Sequence, residues 1–216
     1  MNKTAIDWAD YTWNPVTGCR RGCKYCYAKK IHDRFYPTVP FSEITFHPVR
    51  LKQPALVKKP STVFVGSMSD IDYWRHEWIE QILYICRENP QHTFMFLSKG
   101  PFSYKGHIWP ENTMQGLTKE SIEDSYQGLT LQWFLENSPR PFLSLEPLQG
   151  SVMPLIQLNS IDKLERVIVG AMTGPGAVAP KEEWVRSVMK NVPEEILFWK
   201  ENILKLFPTI LNGKGE

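Results

Sequence analysis

Cysteine is scarce in this chain: there are four among 216 residues, and three of them, Cys19, Cys23 and Cys26, fall within eight residues of one another. So small a set argues against a disulfide scaffold, and a chain of this length buries enough apolar surface to need none. Long apolar runs are missing as well. None reaches the length of a membrane span, and the start "MNKTAIDWADYTW" lacks the apolar core of a signal peptide. The expectation is a cytoplasmic protein with no membrane partner, in which clustered cysteines serve as metal ligands or redox groups. Net charge is small too, at +2, which by itself gives no argument for nucleic acid. Internal repeats and low-complexity segments are absent.

What is present is an alternation of patterns. Short, near-continuous apolar runs occur at 61–70, 92–100, 112–117, 140–147, 165–174 and 195–202, the signature of strands buried on both faces of a parallel sheet. Helical faces separate them: Trp78, Ile79, Ile82, Leu83 and Cys86; Ile122, Tyr126, Leu129 and Trp133; and Trp184, Val185, Val188, Met189 and Val192. The last of these helices has Pro180 near its first turn, followed by acids. With "YTWNPV" (11–16) as a first strand, six or seven βα units result. The predicted fold is α/β, a parallel sheet curled into a full or partial barrel within one domain spanning 1–216, with an open doubly wound sheet as the competing architecture. Residues 37–60 hold five of the 17 prolines and read as an irregular connection, with a short extended piece at "SEITFH". The polar ends "GSMSD", "LSKG", "SLEP" and "GAMTGPG" gather at one carboxyl rim, where parallel α/β proteins build their sites.

The cysteine loop, residues 17–28, reads "TGCRRGCKYCYA", with spacing C-x3-C-x2-C. A closed zinc site needs a fourth ligand, which His32 could supply. A redox dithiol at "CKYC" leaves Cys19 without a role. An iron–sulfur cube held by three cysteines keeps one iron open to a chelating small molecule. Six basic residues (Arg20, Arg21, Lys24, Lys29, Lys30 and Arg34) against the single acid Asp33 surround this loop. Cys86, on an apolar helical face, reads as an inert core thiol.

The three cysteines with an aromatic, Tyr25, just before the last resemble the signature of the radical S-adenosylmethionine (SAM) superfamily, placed as there after a first strand. The segments "IDWADYTWNPVTGC", "CYA", "FVGSMSD", "SLEP" and "VIVGAMTGPGA" extend the likeness over nearly the whole chain. They resemble a phage- and bacteria-associated radical-SAM-like family, sometimes described as similar to spore photoproduct lyase, whose reaction is unassigned. The resemblance implies a partial (β/α) barrel and an oxygen-sensitive 4Fe–4S cluster on Cys19, Cys23 and Cys26. SAM would bind the open iron, and its reductive cleavage to a 5′-deoxyadenosyl radical would start hydrogen abstraction from a substrate. One spare cysteine, Cys86, excludes a four-cysteine auxiliary cluster.

The same resemblance implies roles at the rim. Tyr25 would border the adenine. Ser67, Ser69 and Asp70 stand where the superfamily holds the methionine amino group, with Asp70 as acceptor; for the two serines, helix capping is the plainer reading. Lys99 would pair with the methionine carboxylate, against the alternative of a solvated lysine. Glu146 lies inside an apolar run, where an ionised carboxylate is costly without a partner. It is expected on a ribose hydroxyl or on substrate, or else in a salt bridge. Gly170 and "TGPGA" either let backbone approach a ligand or make a βα turn. Trp8, Trp13 and Trp74 flank the rim, with packing as their default. The basic window would offset the negative charge of a reduced cluster and steer an acidic flavodoxin- or ferredoxin-type donor. With the lyase likeness it also points to a nucleic acid or nucleotide substrate. The rival from another class is a non-catalytic Cys3His zinc module, and a third reading is a cluster that senses redox state or iron.

Overall fold

Four residues into the first predicted strand, the sequence places a proline. Because Pro15 has no N–H to give a ladder, the strand stops short of it and the chain turns into a second, differently paired piece. The computed structural model describes residues 1–121, 128–152 and 161–211, and the chain packs as two compact units, Met1–Met114 and Gln115–Glu216.

In the first unit, β1 (Asn2–Lys3) pairs antiparallel with β2 (Tyr11–Trp13). After Pro15, β3 (Val16–Thr17) forms a two-stranded antiparallel ribbon with β4 (Thr45–Phe46), the extended piece expected at "SEITFH". The rest of the proline-bearing connection contains single 3-10 turns at Pro48–Arg50 and Pro54–Leu56. Between β3 and β4 lies α1 (Tyr27–Phe35). The parallel ladder continues from β2 to β5 (Thr62–Val65) and β6 (Thr93–Ser98), with Trp13 opposite Val65 and Val65 opposite Phe96. β2 and β5 therefore end level, β6 runs two residues further to Ser98, and their carboxyl-end loops emerge on the same edge.

The crossover from β5 to β6 contains α2 (His76–Arg87), which buries Ile79, Ile82, Leu83 and Cys86. That i, i+3, i+4, i+7 stripe is the predicted face apart from Trp78, which is half-buried at its edge. Trp13, Phe94, Phe96 and Met95 are fully buried, and the Trp13 indole donates to the Arg50 carbonyl at 2.9 Å. Trp8 and Trp74 are buried as well, so all three tryptophans near the rim pack the core.

The second unit carries β7 (Thr113–Thr118), which begins at the division, then α3 (Gly128–Asn137), β8 (Pro141–Leu145), β9 (Arg166–Val169), α4 (Glu182–Asn191) and β10 (Leu197–Trp199). Two short helices follow, α5 (Glu201–Leu204) and α6 (Pro208–Leu211). The strands pair in parallel, β7 with β8, β8 with β9 and β9 with β10. Every residue of β7 and β8 is buried, as near-continuous apolar runs require.

The fold is thus mixed α/β with mostly parallel strands. In the first unit β2, β5 and β6 run parallel, with β1 antiparallel beside β2 and β3–β4 a separate antiparallel ribbon; in the second, β7 to β10 run parallel. Among the described residues β1 pairs only with β2 and β10 only with β9, so strand pairing does not close a full barrel.

Two helical faces depart from expectation. Of the set at 122–133, Ile122 and Tyr126 lie outside the described residues, as does the Leu129 side chain. Trp133 is half-buried, and α3 turns Leu131, Phe134 and Leu135 inward. In α4, Val185, Val188 and Val192 are buried, but Met189 sits at the margin of the stripe and is exposed. No helix among the described residues is long and apolar enough to cross a membrane.

Candidate functional site

The three clustered cysteines sit on a loop that backbone hydrogen bonds fasten from both sides. Gly18 donates to the Met68 carbonyl at 3.0 Å and forms a parallel bridge with Ser69, and Cys19 donates to the Phe41 carbonyl at 2.8 Å. Cys26 closes a turn onto the Cys23 carbonyl at 3.2 Å and is the N-terminal cap of α1, its sulfur accepting from the Lys29 amide at 3.3 Å. The Arg21 amide lies 3.5 Å from the Cys19 sulfur. Such amide donors continue to serve a sulfur that carries a metal. Burial is the largest influence on Cys19 and pushes its thiol up to about 11. Its sulfur is thus a protonated thiol at neutral pH unless a cation replaces the proton.

Cys19, Cys23 and Cys26 line one cleft of about 520 Å³ together with Arg20, Lys29 and Phe41, a volume within the usual range for small-molecule sites. All three are half-buried, whereas Cys86 is fully buried in α2 and its thiol is pushed well up by burial. The donor set is therefore three reachable thiols with no fourth. It fits a cluster that keeps one iron open.

It fits a single ion less well. Thiolates around one tetrahedral zinc lie about 3.8 Å apart, but no three of Cys19, Cys23, Cys26 and His32 bring their donor atoms within 4.8 Å of one another. His32 is engaged elsewhere: its Nε2 lies 2.8 Å from the Val39 carbonyl, and its ring packs between Tyr36 and Phe41.

The carboxyl ends of β5 and β6 are stitched to this loop. Asp70, buried after β5, accepts from Arg21 Nε at 3.1 Å, the Ser98 hydroxyl at 2.5 Å, and the amides of Asp72 and Lys99 at 3.0 and 3.3 Å. Arg21 reaches on to Asp72 at 2.7 Å and lies over the Tyr73 ring. Of the predicted rim residues, Asp70 is thus committed to protein partners and spans the cysteine loop, β5 and β6. Ser69 donates to the Val16 carbonyl and accepts from the Trp74 indole. Ser67 exchanges hydrogen bonds with Asn14, and its carbonyl accepts from Tyr27 at 2.7 Å. Lys99 and Tyr25 come together: the ammonium donates to the phenol oxygen at 2.7 Å.

Arg21 and Asn14 were not singled out from the sequence. Arg21 was one cation of a basic window, and Asn14 had only its place before Pro15 to mark it. Arg21→Ala is expected to cost about 1 kcal/mol, the scale of a partly exposed ion pair, because Asp70 keeps its three other donors. A fall in the thermal midpoint of a few degrees checks this.

Glu146 and Gly170 belong to the second unit. Leu145, Val169 and Trp199 stand in register across β8, β9 and β10, so the residues that follow them, Glu146, Gly170 and Lys200, form a row. Glu146 and Lys200 are ion-paired, which is the salt bridge expected as the plain reading. A Cβ on Gly170 would lie 3.0–3.1 Å from both side chains, so this glycine makes room for the pair. The turn after it, with Gly174 and Gly176 at positive φ, has open space around both glycines.

A family profile described as "Protein of unknown function (DUF5131)" matches residues 3–201. The chain matches no curated protein and no solved structure.

Proposed function

The chain belongs to the DUF5131 family, and from that premise we propose that it is a radical-SAM enzyme built on a partial (β/α) barrel, with a 4Fe–4S cluster held by Cys19, Cys23 and Cys26. The observation that carries this reading is the convergence of three reachable thiols on one cleft, on a loop fastened to the carboxyl ends of β5 and β6. When bound, the cluster and SAM would supply one-electron reduction and hydrogen abstraction.

The chain's own residues bind, orient and balance charge. Lys99 and Tyr25 offer an ammonium and a phenol at the rim, suited to a carboxylate and to the edge of a purine. Arg21 and Asp70 tie the loop to β5 and β6, and the three thiols line the cleft. Arg20, Lys24, Lys30 and Arg34 are exposed around the loop. They favour docking of an acidic flavodoxin- or ferredoxin-type donor and an anionic substrate of the nucleotide or nucleic-acid class.

The zinc-module reading lacks an observation in its favour, since His32 is turned to Val39.

Lys99→Met tests the assignment of SAM to this rim. The variant is expected to bind SAM about tenfold more weakly in the cluster-loaded protein, the loss of one charge-assisted contact, with iron content unchanged. Equal SAM affinity in the two proteins would remove Lys99 from the site.

A further inference from the structure

Outside the cysteine loop, one other group of side chains in the first unit has the composition of a metal site. We propose that His76, Glu80 and His107 bind a divalent transition-metal ion through two imidazoles and one carboxylate. Their ligand atoms all lie within 4.8 Å of one another, and they are the only such group of three or more histidine, cysteine or acidic residues among the described residues.

The backbone explains the grouping. His76 and Glu80 are four residues apart on the first turns of α2, so their side chains share one face. His107 comes from the loop after β6, following Gly106 at φ +81°. That loop is tied down: Arg87 donates to the Ile108 carbonyl at 3.2 Å, Asn112 to the Cys86 carbonyl at 2.8 Å, and the Trp109 indole to the Tyr104 carbonyl at 3.0 Å. Trp109 packs edge-on against Phe96 and Tyr104, and His107 lies edge-on to Trp109. The His107 side chain is consequently 5% exposed, with its Nδ1 2.7 Å from Glu80 Oε1. His76 is exposed and stacks on His107 at 4.7 Å.

Two nitrogens and one oxygen suit Zn²⁺, Co²⁺, Ni²⁺ or Cu²⁺ and not Mg²⁺ or Ca²⁺, which prefer all-oxygen shells. Around an ion with bonds of about 2.0–2.1 Å, ligand atoms stand roughly 3.3 Å apart. The 2.7 Å between His107 Nδ1 and Glu80 Oε1 opens to that by a shift of the part-exposed Glu80 side chain, and the exposed His76 rotates to complete the set, while packing holds His107. The ion would take the place of the proton shared between His107 and Glu80. Three protein ligands leave a position open on the solvent side for water.

The site does not depend on the cysteine loop, and the test keeps the two apart. Equilibrium dialysis of the full chain against Zn²⁺ at neutral pH is compared with His76→Ala, Glu80→Gln and Cys26→Ser. His76 is exposed and the Glu80 side chain is 41% exposed, so the first two variants keep the fold. Zn²⁺ affinity at one site is expected to fall at least about tenfold in each of them, as loss of one of three ligands requires, and to survive in Cys26→Ser. Bound Co²⁺ is expected to show ligand-field bands that persist in Cys26→Ser. Zinc binding equal in the parent, His76→Ala and Glu80→Gln, or a cobalt spectrum of thiolate charge transfer alone that disappears in Cys26→Ser, would overturn the proposal.

Discussion

Replacing Cys19, Cys23 or Cys26 singly by alanine is expected to lower iron and acid-labile sulfide after anaerobic reconstitution from about four of each per chain to near zero, while Cys86→Ala retains both. The expectation is large because the set has no redundancy. Three thiols line the cleft, and the fourth is sealed in α2, out of reach. No neighbouring imidazole stands ready to substitute, since His32 is held between two rings with its Nε2 on the Val39 carbonyl. Losing one thiolate leaves two irons' worth of open positions on a cube in a solvent-accessible cleft. Measuring iron and sulfide together matters, because a zinc site would also fail on cysteine loss but would contain no sulfide. Equal iron in the Cys86→Ala and Cys19→Ala proteins would show that the loop is not the ligand set.

Gly18→Ala is expected to destabilise the first unit by at least about 3 kcal/mol and to abolish cluster loading with it. Gly18 has φ +93°, and an added Cβ would stand 2.0 Å from the Glu43 carbonyl oxygen. The left-handed conformation alone costs an L-residue roughly 1–2 kcal/mol. The overlap adds to this, because the obstruction is backbone and cannot swing aside. Relief would have to come from parting the bonds on either side of it, Gly18 to Met68 and Cys19 to Phe41, which fix where the first cysteine sits.

Gly22 is the internal control. It too has positive φ, at +73°, but nothing lies within 4 Å of a Cβ built on it. Gly22→Ala should therefore cost only the conformational part, about 1–2 kcal/mol. Thermal unfolding separates the two: at 2–4 °C per kcal/mol for a chain of this size, Gly18→Ala should shift the midpoint by roughly 6–12 °C and Gly22→Ala by a few degrees. Equal shifts would mean that the loop is not clamped at Gly18.

The parts of this protein that are legible in its sequence are those encoded by local pattern. The runs that became β5 to β10 announce themselves because strands buried on both faces must be apolar at nearly every position. The cysteines are visible through their spacing, and Cys86 through its helical stripe. β1 escaped because two exposed residues, Asn2 and Lys3, have no apolar alternation and exist as a strand only through pairing with β2. The α3 face was placed on Trp133 when Leu131, Phe134 and Leu135 turn inward, because two i, i+4 series overlap in that segment and only packing chooses between them.

The site was half legible. That Tyr25 and Lys99 matter together follows from a contact across 74 positions, and the Arg21–Asp70 bridge spans 49; no local rule reports such distances. The family resemblance implies Asp70 as a ligand acceptor, and its neighbours are four protein donors on that carboxylate. Glu146 stands out in the sequence because a carboxylate in an apolar run needs a partner. Lys200, 54 positions away, is that partner.

The decisive measurement is release of 5′-deoxyadenosine from SAM by the anaerobically reconstituted chain under dithionite. Three thiolates holding a cube with a free iron predict its steady formation in the parent protein and its loss in Cys23→Ala. A protein that takes up its full complement of iron and sulfide, binds SAM and still yields no 5′-deoxyadenosine, or one that returns from purification with one zinc at the cysteine loop and no sulfide, would contradict that assignment.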